Sequence, residues 1–339
     1  MGKTIVGLEL TEESVRAAEI TVSRNPQVIA CGEVPLPPDA AKDSEVLDSG
    51  TVAVALRQLW TGARFKSRDV VLGVASRRIL VREYTTQAMR PDLLREALPY
   101  QVQDLLPVPA SQAVLDFFPL GQDGDRVSGL LVAAVSETVE QIIATLGKVK
   151  LRARGVDLTA FGLARATARL SDPGQTVATV FIGDHTTQVV VSRGGVPQFV
   201  RILPLDVPTM ASLRQSPVTM DAVAVLESSL ELVPPTTRAR SGLRAAASHH
   251  PIVSDLAARV RSTLAFFAGR PGAAPIEQVF VTGAGVSVPG VMETLTTVID
   301  APLRSVSVEE IVGVRAVQTT GDLALNLVST VGIALGEVR

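Results

Sequence analysis

"TVATVFIGDHTTQVVVSRGGVPQFVRIL", Thr176–Leu203, decides the fold. The run Thr176–Ile182 is rich in β-branched residues and ends in the polar turn Gly183-Asp184-His185-Thr186. A second run spans Thr187–Ser192. Arg193-Gly194-Gly195 is a tight hairpin signal, because adjacent glycines supply the positive φ of a two-residue turn, and Val196–Leu203 is the third strand. Short polar links between such runs predict an antiparallel meander. The chain opens in the same way, with Thr4–Leu10, Ser14–Val22 and Gln27–Pro35 joined by "TEE" and "SRNP". A loop rich in Pro and Asp leads from there to Thr51–Trp60, where Val52, Ala55, Leu56 and Leu59 stand at helical spacing. The buried strand Val70–Val74 follows. Gly7 and Gly183 begin equivalent turns about half the chain apart, so the repeat predicts a duplicated α/β domain facing itself across a cleft.

Downstream, Pro208–Arg214 reads as a helix, and so does Ile252–Phe267, with Ile252, Leu256, Val260, Leu264 and Phe267 on one face. "VFVTGAGVSVPG", Val279–Gly290, combines a strand, a bare-backbone turn and a helix start. It lacks the third glycine of a dinucleotide fingerprint, since Val288 stands there. It is no nucleophile elbow either, since two residues separate Ser287 from Gly290.

Residues 77–155 read as a small α+β insertion. "RRILVREY" is a strand. "PDLLREALPYQVQDLLP" aligns Leu94, Leu98, Val102 and Leu105, with a kink expected near Leu98 because an interior proline, Pro99, costs about 3 kcal/mol. Strands follow at Ala113–Phe118 and Gly129–Val135. Ser136 is the expected N-cap of a helix that turns Val139, Ile142, Ile143, Leu146 and Val149 inward. Residues 215–250 form a second insertion ending in a loop, "VPPTTRARSGLRAAASHH", whose Arg238, Arg240, Arg244, His249 and His250 read as solvated.

The 339 residues are 46% hydrophobic but only 4% aromatic, so the core must be aliphatic. A net charge of −2 leaves no electrostatic footprint for nucleic acid, and stacking platforms are scarce. Cys31 is the single cysteine, which excludes an intramolecular disulfide and a thiolate metal cluster. The apolar segment Leu323–Leu335 contains Asn326, Ser329 and Thr330 and is too short to cross a bilayer. "MGKTIVGLEL" lacks the order of a signal peptide. A cytoplasmic protein without a transmembrane segment is expected.

"TIVGLELTEESVRAAEI", "LLREALPYQVQDLLPVPASQAVLDFFPLG", "VFVTGAGVSVPGVMETL" and "NLVSTVGIALGE" together resemble the actin-like ATPase superfamily. Within it they resemble the PilM family of type IV pilus assembly proteins, which is related to the division protein FtsA. The resemblance implies duplicated actin-like (ribonuclease H-like) lobes around a central cleft. It implies a first lobe at 1–76 plus 156–172 carrying the 77–155 insertion. A second lobe at 173–214 plus 276–339 would carry a 215–275 insertion, with its final helix able to pack back on the first lobe. It further implies a scaffold of the pilus inner-membrane complex, peripheral to the membrane through its partners. Those partners would be the cytoplasmic N-terminal tail of a PilN-like membrane protein and, beyond it, the pilus motor ATPase. ATP with magnesium would lie between the lobes.

Residue by residue, the implied nucleotide positions are Gly7, Glu9, Thr11 and Ser14 in the first turn. Gly183, Thr186 and Thr187 belong to the second, and Gly283, Ala284 and Gly285 to the adenosine turn. The implied groove residues are Arg78, Leu80, Leu94 and Leu98. Departures are concentrated at the phosphate turns. Glu9 replaces an aspartate, and Thr11 replaces a glycine whose positive φ a Cβ opposes. Glu12 and Glu13 bring negative charge to the phosphate position. Phe181 replaces the metal-facing acid, leaving Asp184 as the nearest carboxylate. Thr186 and Thr187 are equally explained as strand formers, and His185 as a turn residue. Weak or absent nucleotide binding, no catalytic residue and no resident metal are the expectation. Two alternatives stay open. A phosphotransferase or ATPase of the superfamily would want an acid at position 181 and glycine at position 11. An FtsA-like or type II secretion scaffold would fit less well, since the sequence ends at "GEVR" without FtsA's membrane helix.

Overall fold

Each of two meanders grows into a sheet by adding parallel strands. The computed structural model describes residues 3–215, 236–315 and 317–338. In the first meander β1 (Thr4–Leu10), β2 (Ser14–Thr21) and β3 (Gln27–Pro35) pair antiparallel in sequence order. A ribbon of β4 (Ala41–Lys42) and β5 (Glu45–Val46) interrupts the following loop. It leads to α1 (Ser49–Gly62), where the Asp48 carboxylate accepts the Gly50 and Thr51 N–H groups that would otherwise be orphaned. α1 buries Val52, Ala55, Leu56 and Leu59, and β6 (Asp69–Val74) then lies parallel to β1.

The inserted sheet contains β7 (Leu80–Gln87), β8 (Ala113–Asp123) and β9 (Arg126–Val135) in the order β7-β9-β8, with α2 (Pro91–Gln101) packed against it. After α3 (Ser136–Lys148), β10 (Arg152–Leu158) returns to pair parallel with β6, followed by α4 (Thr159–Thr167). The first sheet therefore resumes at Arg152, a few residues before the 77–155 limit taken from the resemblance.

The second sheet runs β13-β12-β11-β14-β15. Its strands are β11 (Thr176–Ile182), β12 (Thr186–Arg193), β13 (Val196–Pro204), β14 (Gln278–Thr282) and β15 (Leu303–Ser305). Gly194 and Gly195 take φ of 57° and 81° at the β12–β13 hairpin, as that turn requires. Around this sheet lie α5 (Met210–Gln215), α6 (Thr236–Ala268) and α7 (Val291–Val298), whereas α8 (Val308–Ile311) buries Val308 and Ile311 in the core of the first lobe. Leu256, Val260, Leu264 and Phe267 of α6 are buried in its core. The chain then crosses back: β16 (Gly313–Val314) pairs with β3, and α9 (Asp322–Leu335) lies buried against β1, β2 and α4. Two helix backbones nearly touch there, since a Cβ on Gly332 would stand 2.0 Å from the Gly162 carbonyl oxygen.

Several local expectations change. α2 runs through Pro99 without breaking near Leu98 and ends at Gln101, within one turn of the proline. A single 3-10 turn, Gln103–Leu105, follows. Ser136 does not cap α3; strand β9 runs directly into the helix, Val135 occupies the cap position and no side chain bonds there. Ile143 points outward, 41% exposed. The stretch read as a loop before Ile252 is helical from Thr236, through Pro251. Its Ala- and Arg-rich composition favours helix. The side chains of Arg238, Arg240, Arg244, His249 and His250 lie outside the described residues.

Candidate functional site

The β1–β2 and β11–β12 turns face each other across a crevice. In the first turn, Thr11 N–H donates to the Ser14 carbonyl at 2.9 Å, and Ser14 N–H donates back to Thr11 Oγ1 at 3.1 Å. The turn thus closes on its own threonine. Thr11 has no positive φ, so its Cβ is not strained as the sequence suggested. Ser14 Oγ donates to Glu33 at 2.5 Å.

Glu9 projects from β1 and Arg16 from β2, opposite one another in register. Both are buried, and Arg16 Nε donates to Glu9 Oε2 at 2.8 Å. The guanidinium also lies 5.7 Å from the centroid of the Phe181 ring, which comes from the other lobe. An arginine thus fills the ground between the two turns, over the ring of Phe181. Glu9 Oε1 is buried without a hydrogen-bond partner among the described residues.

The second turn adds a cross-lobe ion cluster. His185 Nε2 stands 2.5 Å from Glu13 Oε1 and 3.9 Å from Glu12, while Nδ1 stands 2.7 Å from Asp206. The bond to Glu13 foremost, opposed by burial and helped by Asp206 and Glu12, pushes the imidazole pKa up to about 9. His185 is therefore a cation holding two lobes together and not merely a turn residue. Asp184 accepts a bond from the Thr209 hydroxyl and is pushed up to about 6, first by burial and then by the Glu13 charge. Thr159 Oγ1, on α4, donates to Gln188 Oε1 on β12 at 2.7 Å. The crevice that remains has a volume of about 50 Å³.

Of the ten nucleotide positions, Glu9, Thr11, Gly183 and Thr186 line this crevice. The others serve packing or local bonds. A Cβ on Gly7 would stand 2.0 Å from the Thr330 carbonyl oxygen, so the glycine admits α9. Gly283, at φ 91°, and Gly285 fit their backbones against Ile182. Ala284 N–H donates to Asn326 Oδ1 at 2.9 Å. Thr187 is fully buried in β12.

Space lies elsewhere, in a groove of about 510 Å³ between α2 and β8. Leu94, Leu98, Leu115, Phe117 and Pro119 give it apolar walls, with Arg95 and Asp116 at hand. Arg78 and Leu80 do not line it. Arg78 is tied to Glu45 at the seam between the inserted sheet and the first lobe, where only about 20 Å³ is free. The groove lies within the insertion. Periodicity exposed one wall, but nothing local to α2 announced that Leu115 and Phe117 of β8 form the other.

A model of the family described as type IV pilus assembly protein PilM matches residues 7–203, more than half of the chain. The chain belongs to the PilM family. A solved "PilM-PilN type IV pilus biogenesis complex" superposes with a TM-score of 0.80 at 24% identity, covering 99% of this chain and 98% of that one. The fold is accordingly the actin-like one. The cytoplasmic domain of EpsL from the type II secretion system of Vibrio cholerae matches at TM-score 0.49 and 10% identity, over 99% and 94% of the two chains. The ethanolamine utilization protein EutJ from Carboxydothermus hydrogenoformans matches at 0.48 and 16%, over 99% and 90%. No helix among the described residues is long and apolar enough to cross a membrane.

Arg16, Thr159 and Gln188 of the crevice escaped the sequence reading, as did Asp206, which meets His185 at its edge. Arg16 did carry a signal: in "SVRAAEIT" it and Glu19 are charges inside an otherwise apolar buried strand, and buried charges need partners.

Proposed function

We propose that this chain is a scaffold of a type IV pilus inner-membrane complex that works without ATP and takes the cytoplasmic tail of a PilN-like membrane protein into the α2–β8 groove. One observation carries the reading. The crevice where nucleotide would lie leaves about 50 Å³, while the groove offers about 510 Å³; small-molecule sites run from about 300 Å³ upward.

A triphosphate with magnesium does not fit the residues present. Arg16 stands in the phosphate ground, Phe181 offers the metal no oxygen, and Asp184 is engaged by Thr209. The orphan oxygen of Glu9 suits a water, for which the remaining space is sufficient. An apolar peptide segment does fit the groove. Each Leu-sized side chain it buried would contribute about 1.5–3 kcal/mol, offset in part by ordering the tail. The solved relative is a PilM–PilN complex, which agrees with a partner of this kind. Attachment through such a tail would place the chain at the cytoplasmic face of the membrane, within reach of the pilus motor ATPase.

Calorimetric titration with a synthetic PilN-like tail peptide tests this. Wild type and Arg78→Ala should bind alike, and Leu94→Glu, a charge in the apolar wall, should bind at least about tenfold more weakly. Absence of binding by wild type, or equal losses in both variants, would overturn the proposal.

A further inference from the structure

A further pocket, of about 180 Å³, lies where the inserted sheet meets the second lobe. Leu120 of β8 contributes one edge; Arg193 at the end of β12, Gln198 of β13 and Arg270 just after α6 contribute the rest of its polar lining with Thr176. No Asp or Glu is among the lining residues.

Arg193 is held at one point, and Arg270 by a carboxylate and two rings. Arg193 Nε donates to the Gly174 carbonyl at 2.9 Å, and no salt bridge engages this residue among the described residues. Arg270 Nη2 pairs with Glu83 of β7 at 2.5 Å, and the guanidinium lies 5.9 and 5.4 Å from the Phe199 and Phe267 ring centroids. Its Nη1 is buried without a hydrogen-bond partner among the described residues. An unsatisfied buried donor on a charged group is costly, and a guanidinium fixed by a carboxylate and two rings cannot turn away to relieve it. The nearby Glu277 carboxylate accepts the Thr176 N–H instead.

We propose that this pocket binds one small oxyanion, a free phosphate or the phosphate of a small monoester. The planar donor forks of two arginines match phosphate oxygens, the volume suits one such group and is below that of nucleotide-sized sites, and no carboxylate lines the pocket, Glu83 meeting Arg270 from outside the lining. Because Arg270 also holds Glu83, the bound anion would consolidate the contact between the inserted sheet and the second lobe. This pocket shares Leu120 with the α2–β8 groove, but its arginines lie outside the groove and the assignment does not depend on tail binding there.

Thermal unfolding and calorimetry of the full chain test the proposal, with inorganic phosphate and glycerol phosphate as probes and chloride at equal ionic strength as control. Millimolar phosphate should raise the wild-type midpoint where chloride does not. Arg193→Gln and Arg270→Lys should each weaken binding about tenfold, the loss of one charge-assisted bond. Tighter binding of either probe supports the site and assigns its source. Arg193 is exposed, so Arg193→Gln remains informative if Arg270→Lys folds poorly. No phosphate-specific shift in wild type, or undiminished binding by Arg193→Gln, would overturn the assignment.

Discussion

The imidazole of His185, on the turn of the second meander, lies 2.5 Å from the carboxylate of Glu13, on the turn of the first. Two turns that in a nucleotide-handling site would share a ligand are here in direct contact through their own side chains. Glu13 is buried and His185 half-buried, so the pair is shielded from the screening that weakens surface ion pairs. Arg16 against Phe181 and Thr159 against Gln188 add further cross-lobe contacts. Closure of the crevice is thus an internal property of the chain.

That closure should depend on pH. The folded pKa of His185, about 9, lies above its ordinary 6.5, so its contribution is fully present below about pH 6.5 and is lost as pH rises through about 9. Asp184, raised from 3.8 to about 6, acts in the same sense, its contribution fading as pH climbs from about 4 through 6. Urea midpoints measured across both windows should fall with rising pH. His185→Gln should flatten the upper window and Asp184→Asn the lower. An unchanged slope in His185→Gln would refute the assignment.

The Glu9–Arg16 pair should be costly to break from one side. Arg16→Ala leaves a carboxylate that is 3% exposed without its counter-charge, which costs about 3–5 kcal/mol. Glu9→Gln/Arg16→Met removes both charges and should recover most of that loss. Denaturant unfolding of the single and double variants measures the difference; equal destabilisation would mean that the charge pairing is not what matters.

What the sequence disclosed and what it hid follow from the range of each interaction. The hairpin at Gly194-Gly195 was legible because its geometry is set by two adjacent residues. The meanders were legible because Val and Ile runs end at polar turns. Closure of the crevice was not, since His185 is distant in sequence from Glu13 and only the assembled sheets bring the turns together. Glu12 and Glu13 read as charges hostile to phosphate, which told what was disfavoured and not that a histidine would meet one of them. The Leu94–Leu98 spacing marked a helix face but could not say that β8 lies beside it. Gly7, Gly283 and Gly285 read as ligand-approach glycines, whereas each adjoins protein backbone or side chain at a distance no Cβ tolerates. The sequence cannot distinguish a glycine that admits a ligand from one that admits a helix.

The Gly162–Gly332 crossing should be intolerant of the smallest side chain. A Cβ on Gly332 would meet the Gly162 carbonyl oxygen at 2.0 Å, a backbone atom that cannot rotate aside. Gly332→Ala would push α9 off α4, and overpacking of this kind costs about 1–3 kcal/mol. Gly147→Ala, a position where a Cβ meets nothing within 4 Å, is the matched control and should be neutral or slightly stabilising. Calorimetric midpoints for the two variants compare them directly; a Gly332→Ala protein as stable as wild type would show that α9 can shift without loss.

Nucleotide should leave the chain unaffected. A ligand that binds only the folded state at a hundred times its dissociation constant stabilises by about 2.7 kcal/mol, a shift readily seen in thermal unfolding. With Arg16 and Glu9 paired in the phosphate ground and about 50 Å³ free, millimolar ATP with magnesium should raise the midpoint no more than the same salt does. Removing Arg16 alone should not create affinity, because Glu9, Glu12, Glu13 and Asp184 would then face the phosphates with His185 as the one cation among the crevice-lining residues. Phe181→Asp combined with Thr11→Gly restores the two groups the superfamily's turns would supply, yet it leaves the His185–Glu13 pair in place and should remain silent as well. A midpoint shift in wild type that titrates with ATP and disappears without magnesium would mean that the lobes open far enough to admit what the closed crevice excludes, and the ATP-independent reading would have to be abandoned.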